Sequence, residues 1–512
     1  MSAVRPVFTR ATRVLMALVL ALTPALVLGA PATAYAAPVT VTFADPNLET
    51  VVRSALAKPT GTVTDSDMRT LTALDGSNTG IADLGGLQYA TNLQSLDLAG
   101  DQITTITELA GLTHLASLDL DYDAVSSLAP LAGMAALESL SIAGDGTYSD
   151  LTPLSGKPGL TWLTLSSPNI TSIQTLSGLH ALDQLDLYAP GLTDLSPLAG
   201  LTGLETLRLA NDALSVAPLS SLTNLASLSL TGSTIDTLAP LSSLTNLTDL
   251  DIEVGTVSDL TPISTLTGLV SLRVASDSLT TITPIASLTN LESLVLSYDQ
   301  IADISPLAGL EKLDALDLGG NSIADLSPLS GLTSLESVSL QDNLLADIGP
   351  LVGLPSLTDV TLDHNWLDLT PGHPADLAIQ SLEASGVAVY ATPQNSSVGR
   401  PVVAPSTRRR NKKLTFTSGF SPASAAPAVS VKLKLYHSET KTVKKRVGGK
   451  LKSVKVKYWH LRRTVTMKGS ATGRLTAGTT CAYTGSWQAF VVFAGSDMYE
   501  ASTSDVRTFT VK

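Results

Sequence analysis

The sequence predicts a solenoid of short parallel β-strands followed by a separate all-β domain. Three observations lead to this prediction. Aliphatic residues, mostly leucine, recur every 22 residues through the middle of the chain. Proline recurs within the same unit, at a position that argues against a long helix on the outer side. The repeat stops at about residue 369, and from about residue 414 apolar and basic side chains alternate instead.

Residues 1–36 are predicted to be a secretory signal peptide. Three arginines precede an apolar run over residues 14–28, and small residues at Ala34 and Ala36 favour cleavage before Ala37. An uncleaved membrane anchor is the alternative, but the run is shorter than the roughly 20 residues of a spanning helix, and Pro24 interrupts it. The mature protein is therefore expected to be secreted and extracellular, with no membrane insertion.

Residues 37–86 are predicted to form an N-terminal helical cap. Asp45 and Pro46 open an amphipathic helix, and a second short helix starts at Thr64. A cap is expected because the first coil of a solenoid exposes its core.

Residues 87–369 are predicted to form about 13 leucine-rich repeats. The step between strand leucines is 22 residues, with one step of 23 and one of 21. The strand positions are Leu96, Leu118, Leu140, Leu163, Leu185, Leu207, Leu228, Leu250, Leu272, Leu294, Leu316, Val338 and Val360.

One repeat shows why each unit is a coil. Leu316 and Leu318 alternate with polar residues, which indicates one buried face of a short concave strand. Leu326 and Leu329 return to the same interior, and Pro328 between them favours a 3₁₀ or extended convex side. A single coil cannot offset the entropy of ordering its backbone, so the coils must stack.

A polar residue recurs in the turn five residues after the strand leucine. The favoured interpretation is a turn in which this side chain accepts hydrogen bonds from backbone N–H groups. The alternative is a column of carboxylates that binds cations or titrates. The polar turn residues are Asp101, Asp123, Asp145, Asp212, Asp277, Asp299, Asn321, Asn343 and Asn365.

The repeats are predicted to end in a C-terminal cap over residues 370–393. A helix over residues 374–385 is expected to stop at Gly386, and residues 387–391 to form a final strand.

Residues 394–413, rich in proline and serine, are predicted to be a linker. Residues 414–512 are predicted to form a basic β-domain, because Val431, Leu433 and Leu435 alternate with lysines.

Two stretches resemble known families. The block that starts at Phe43-Ala-Asp-Pro-Asn-Leu48 and leads into the 22-residue repeats resembles bacterial internalin-type leucine-rich-repeat proteins. That resemblance implies a curved, exported solenoid that recognises a protein on its concave sheet. The stretch containing Gly485-Ser-Trp487, Tyr499 and Ser504 is similar to immunoglobulin-like modules, which implies a C-terminal sandwich.

Charge divides the chain into an acidic body and a basic end. Residues 37–399 carry 7 Lys and Arg against 41 Asp and Glu, whereas residues 400–512 carry 22 against 4. The basic part is predicted to bind an anionic cell-wall polymer non-covalently, the alternative being a charged face that keeps strand edges soluble. Nucleic acid is not an expected partner of an exported chain. The polyanion-binding candidates are Arg408, Arg409, Arg410, Lys432, Lys434, Lys455 and Lys457.

The concave face is the predicted site for an extracellular protein. Trp162, Tyr188 and Arg208 fall on three consecutive coils, and Trp, Tyr and Arg dominate binding hot spots. The alternative is a solvated sheet with incidental aromatics. The remaining candidates are Tyr122, Asp186, Asp251, Arg273 and Tyr298. Acidic side chains are expected on the same face at Asp97, Asp119, Asp121, Asp249, Glu253, Asp317, Asp359 and Asp363.

Catalytic and metal-binding patterns are missing from the sequence. The single cysteine, Cys481, excludes an intramolecular disulfide, and no zinc, nucleophile-elbow or phosphate-loop motif occurs. The run Asp119–Asp123 resembles the start of a calcium loop, but Ala124 and Pro130 occupy its essential Gly and Glu positions. The prediction is a non-enzymatic recognition or adhesion protein without metal or cofactor, the alternative being a glycan-binding or structural envelope component.

Overall fold

The structure is a computed structural model. It describes residues 38–210, 215–232, 235, 237–253, 257–275, 278–395, 397–398, 402–404, 413–421, 431–447, 450–467, 474–480, 485–493, 502–503 and 507–511. The predicted signal peptide, Asp212, Asp277, Cys481 and the three arginines at 408–410 lie outside these residues.

Fifteen parallel strands form one sheet in sequence order, so the solenoid is a single continuous winding. The predicted strand leucines face one another in register, for example Leu96 with Leu118 and Leu294 with Leu316. The strands are β1 (Ala73–Asp75), β2 (Ser95–Asp97), β3 (Ser117–Asp119), β4 (Ser139–Ile142), β5 (Trp162–Ser166), β6 (Gln184–Tyr188), β7 (Thr206–Ala210), β8 (Ser227–Thr231), β9 (Asp249–Glu253), β10 (Ser271–Ala275), β11 (Ser293–Val295), β12 (Ala315–Asp317), β13 (Ser337–Ser339), β14 (Asp359–Thr361) and β15 (Ala388–Tyr390).

The convex side is built from 3₁₀ helices of three or five residues, as predicted. Proline occupies the first turn in ten of the thirteen found in the described residues, where its missing N–H costs nothing. The 3₁₀ helices are Leu87–Tyr89, Thr107–Gly111, Ala129–Gly133, Thr152–Leu154, Gln174–Gly178, Ser196–Gly200, Ala217–Ser221, Ala239–Ser243, Thr261–Thr265, Thr283–Ser287, Ser305–Gly309, Ser327–Gly331 and Gly349–Leu351.

One hydrophobic core runs the length of the solenoid, from Val41 to Ala391. Leucines from each strand and each 3₁₀ helix are buried and contact those of the coils on either side. Because every coil completes the core of its neighbours, stacking supplies the stability that a lone coil lacks.

Helices lie at both ends of this core. The helices α1 (Pro46–Ala55) and α2 (Asp65–Met68) precede β1, and their Leu48, Val52 and Met68 are buried in the common core. The sheet itself begins at β1, one strand before the first predicted repeat. At the other end, α3 (Pro374–Ala384) stops before Gly386 (φ 91°), and β15 pairs with β14, as the sequence predicts.

The C-terminal part forms two antiparallel sheets. Strands β16 and β17 lie within residues 394–413, so the predicted linker is partly ordered by pairing with β18. The immunoglobulin-like arrangement stays a prediction. The strands are β16 (Ser397–Val398), β17 (Val402–Ala404), β18 (Lys413–Ser421), β19 (Val431–Val447), β20 (Lys450–Met467), β21 (Arg474–Thr480), β22 (Gly485–Phe493), β23 (Ser502–Thr503) and β24 (Arg507–Val511).

The predicted alternation in β19 is confirmed. Val431, Leu433 and Leu435 are fully buried, whereas Lys432 is exposed and Lys434 is half-buried. Among the helices of the described residues, none has both the length and the apolar composition required to cross a bilayer.

Candidate functional site

The concave sheet is not uniform along its length. The six strands β5 to β10 have five residues each, whereas the strands on either side have three or four. We call β5–β10 the central strands. Each central strand adds outward-facing positions at its end, so the flat part of the concave surface is widest there.

The turns after the short strands β12 to β14 share one hydrogen-bonding pattern. After each three-residue strand from β12 to β14, an asparagine bridges two coils. Asn321 Oδ1 accepts the Ile301 N–H at 3.0 Å, and its Nδ2 donates to the Leu296 and Leu318 carbonyls at 2.7 and 3.0 Å. The equivalent bonds of Asn343 and Asn365 follow the same pattern. We call this column of side chains the turn ladder.

The turn ladder includes members that differ in chemistry. Asp101, Asp123 and Asp299 occupy the same position and accept backbone N–H groups, so the favoured interpretation of these turns is confirmed. Gln394 continues the ladder beyond the last asparagine: it accepts the Leu367 N–H and donates to the Leu362 and Ala391 carbonyls. The repeat spacing gave no signal for Gln394, because it lies beyond the final 22-residue unit.

The turn ladder is interrupted beside the central strands. Pro168 and Pro190 occupy the ladder position after β5 and β6 and cannot make the bridging bonds. Asp145, after β4, is exposed rather than buried in the ladder. After β5 the buried Ser167 bridges to the preceding coil instead, its Oγ donating to the Tyr148 carbonyl at 2.6 Å, and the strand pairing continues to Ser166 and Tyr188.

The two aromatic residues of the central strands, Trp162 and Tyr188, lie at opposite ends of neighbouring strands. Trp162 begins β5 and is 41% exposed, and Tyr188 ends β6 and is 50% exposed. Trp162 is in register with Gln184, so the backbones of Trp162 and Tyr188 are about 13 Å apart along the strand direction. The predicted Trp162–Tyr188–Arg208 anchor is therefore spread across the sheet rather than one cluster.

Both concave arginines are paired with acids of the preceding strand. Arg208 Nη1 lies 3.2 Å from Asp186 Oδ2, and Arg273 contacts Glu253 and lies 3.5 Å from Asp251 Oδ1. Burial raises the pKa values of Asp186 and Asp251, and the neighbouring arginine opposes that rise in each case. Each arginine is thus paired along the sheet with the strand that precedes its own.

Tyr122 and Tyr298 flank the central strands. They follow β3 and β11, with φ values of 64° and 63°, and are 70% and 62% exposed. Each lies against a glycine of the next coil: a Cβ on Gly144 would fall 2.8 Å from the Tyr122 Cα, and one on Gly320 would fall 2.6 Å from the Tyr298 ring. These glycines leave room for the tyrosines on the adjoining turn.

The polyanion candidates are only partly described. Lys432 and Lys434 project from β19 beside Thr466 and Thr464 of β20. Lys455 and Lys457 occupy β20 opposite Thr442 and Thr440. Within the part of the chain that the structure describes, no group of three or more His, Cys, Asp and Glu side chains is arranged to hold a metal ion.

Comparisons with known proteins agree with the fold. Residues 289–331 and 311–351 match a family model for leucine-rich repeats. An internalin (inlF) of Listeria monocytogenes is similar over 68% of this chain and 95% of its own, with 29% identity and a TM-score of 0.54. A leucine-rich-repeat protein of Leptospira interrogans shares the fold over 60% of this chain and 81% of its own, with 21% identity and a TM-score of 0.55. No curated protein sequence matches the chain.

Proposed function

We propose that this chain, which is similar to the internalins in fold and repeat sequence, has an exported, non-enzymatic role in recognition or adhesion, in which the concave sheet binds a protein ligand. Leucine-rich-repeat proteins of this kind act in protein–protein recognition. The observation that carries the proposal is the set of longer central strands, which present Trp162 and Tyr188 at opposite strand ends.

The chemistry of this surface suits a protein. Exposed aromatics supply apolar contact area, and the Asp186–Arg208 pair supplies fixed donors and acceptors between them. With Tyr122 and Tyr298 at the two ends, nine neighbouring strands span about 38 Å, which is long enough for an interface of ordinary size.

We also propose that α1, α2, α3 and β15 act as caps. They cover the ends of the common core, where Leu48 and Leu382 are buried. The same proposal assigns residues 1–36 to export and the basic C-terminal part to attachment at an anionic cell-wall polymer. Its support is the excess of Lys and Arg after residue 400 and the outward position of Lys432.

Site-specific crosslinking tests the location of binding. A photo-crosslinking residue is placed at position 188 of the full chain, and a matched one at position 180, outside the sheet in the turn after the 3₁₀ helix Gln174–Gly178, where His180 is also exposed. We expect position 188 to capture one extracellular protein that position 180 does not. Equal capture at both positions would contradict the concave site, and capture of polysaccharide alone would favour a glycan-binding or structural role.

Binding to isolated cell walls tests the attachment. The full chain should sediment with walls at low salt and be released at high salt, because exposed charges are screened. Lys432→Glu/Lys434→Glu should weaken sedimentation, whereas Lys312→Glu on the solenoid should not. Sedimentation with cell walls that changes neither with salt nor with these substitutions would contradict the proposed attachment.

A further inference from the structure

The aspartates of the turn ladder replace a side chain that both accepts and donates. Asp123 is 1% exposed, and its Oδ1 accepts the Ile103 N–H at 2.8 Å. Asp101 Oδ1 likewise accepts the N–H groups of Gly80 and Ile81. The second oxygen of each carboxyl, Oδ2, is buried and has no hydrogen-bond partner among the described residues.

The asparagines show what this second atom faces. In Asn321 and Asn343 the corresponding Nδ2 donates to the carbonyl three residues earlier and to the carbonyl 25 residues earlier. By the repeat register, the equivalent carbonyls for Asp123 are those of Leu120 and Leu98. An ionised carboxylate has only acceptors, so its Oδ2 would face these carbonyl oxygens without a hydrogen between them.

Residues near Asp123 in the sequence include no cation that could neutralise an ionised carboxylate. Residues 70–156 contain no lysine or arginine. The charged groups that act on Asp123 are acidic: Asp101 of the preceding coil, and Asp119 and Asp121 of its own coil. On the following coil, Asp145 is exposed. A proton on the carboxyl resolves both the missing donor and the buried charge.

We propose that Asp123 is protonated in the folded solenoid and donates its Oδ2 proton to the Leu98 and Leu120 carbonyls, which makes the N-terminal coils more stable in weak acid than above neutrality. The carboxyl then acts as an asparagine does, accepting through Oδ1 and donating through Oδ2. Asp101 has the same arrangement one coil earlier and strengthens the effect.

The direction of the pH dependence follows from the titration. Burial raises the pKa of Asp123 from 3.8 to about 7, against the hydrogen bond from Ile103, and the neighbouring acids add to the rise. The folded state therefore holds a proton that the unfolded state releases. The stabilisation is complete below pH 3.8 and declines as the pH rises through about 7.

The test compares thermal midpoints of the full chain at pH 5 and pH 8. Asp123→Asn supplies a permanent donor, so its midpoint relative to the wild type should rise by about 2–4 °C more at pH 8 than at pH 5. Asp145→Asn, at the equivalent but exposed position, should show no such difference. The same shift of Asp123→Asn at both pH values, or the same pH difference in Asp145→Asn, would overturn the proposal.

Two further measurements test the proposal even if the unfolding of other coils determines the thermal midpoint of the full chain. Asn343→Asp should acquire the acid-favoured stability that the asparagine lacks. The infrared band of a protonated carboxyl group should be present in the wild type at pH 6 and smaller in Asp123→Asn. An unchanged band together with a pH-independent Asn343→Asp variant would show that the ladder carboxyls are ionised.

Discussion

At the residue scale, the polar side chain of each turn determines how firmly neighbouring coils are joined. Asn365 satisfies one N–H and two carbonyls of the backbone, and Gln394 repeats this pattern at the end of the solenoid. A buried backbone group left without a hydrogen-bond partner costs about 1–3 kcal/mol, so each of these side chains contributes to the free energy of unfolding through the backbone groups it satisfies.

Gln394→Ala should destabilise the C-terminal end of the solenoid. It removes the acceptor for the Leu367 N–H and the donor to the Ala391 carbonyl. We expect a loss of about 1–3 kcal/mol in the free energy of unfolding and faster amide exchange at Leu367. Gln380→Ala on the exposed face of α3 is the control and should change neither quantity.

Lys157 is a buried cation at a core position of the repeat. It occupies a position that is leucine or methionine in neighbouring coils, is 1% exposed, and donates to the Leu131 and Met134 carbonyls at 2.7 and 3.1 Å. Burial lowers the pKa of its ammonium group. The folded state therefore carries a penalty at neutral pH that is relieved as the pH rises toward 10.5.

Lys157→Met should remove that penalty, because methionine keeps the volume without the charge. We expect the thermal midpoint at pH 7 to rise by about 1–3 °C, with a smaller gain at pH 10. Lys312→Met, on an exposed lysine, is the matched control. A lower midpoint for Lys157→Met would show that the two carbonyl contacts outweigh the cost of burying the charge.

At the element scale, the repeat period predicted the winding but not the width of the sheet. Aliphatic spacing fixes which residues face the core, so the strand leucines and the convex 3₁₀ helices followed directly from the sequence. The side-chain contacts between turns were not predictable in the same way, because the bonds by which Asn343 bridges two coils become visible only in three dimensions. The ion pairs of Arg208 and Arg273 could likewise be predicted only with the register between neighbouring strands.

Removal of one whole coil tests the stacking of identical units. Deleting residues 291–312 joins Asn290 to Leu313 and preserves the 22-residue register. We expect a folded, shorter solenoid with a smaller denaturant m-value, because less surface is exposed on unfolding. Deleting only residues 291–301 should abolish cooperative unfolding, since it places polar residues in the core.

At the scale of the whole molecule, the chain separates an acidic solenoid from a basic C-terminal part. The central strands of the solenoid carry the candidate surface, and side chains of the turn ladder connect coils on either side of them. The sequence predicted this division from charge alone. It could not predict that the strands are longest from β5 to β10, because strand length depends on the backbone pairing between neighbouring coils.

The affinity of the crosslinked partner for purified variants of the full chain tests the central claim most directly. Trp162→Ala and Tyr188→Ala should each weaken binding at least about tenfold, as expected for exposed aromatic anchors, whereas His180→Ala, outside the sheet, should leave it unchanged. Undiminished affinity in both aromatic variants, with loss in His180→Ala, would place recognition outside the concave sheet and contradict the account.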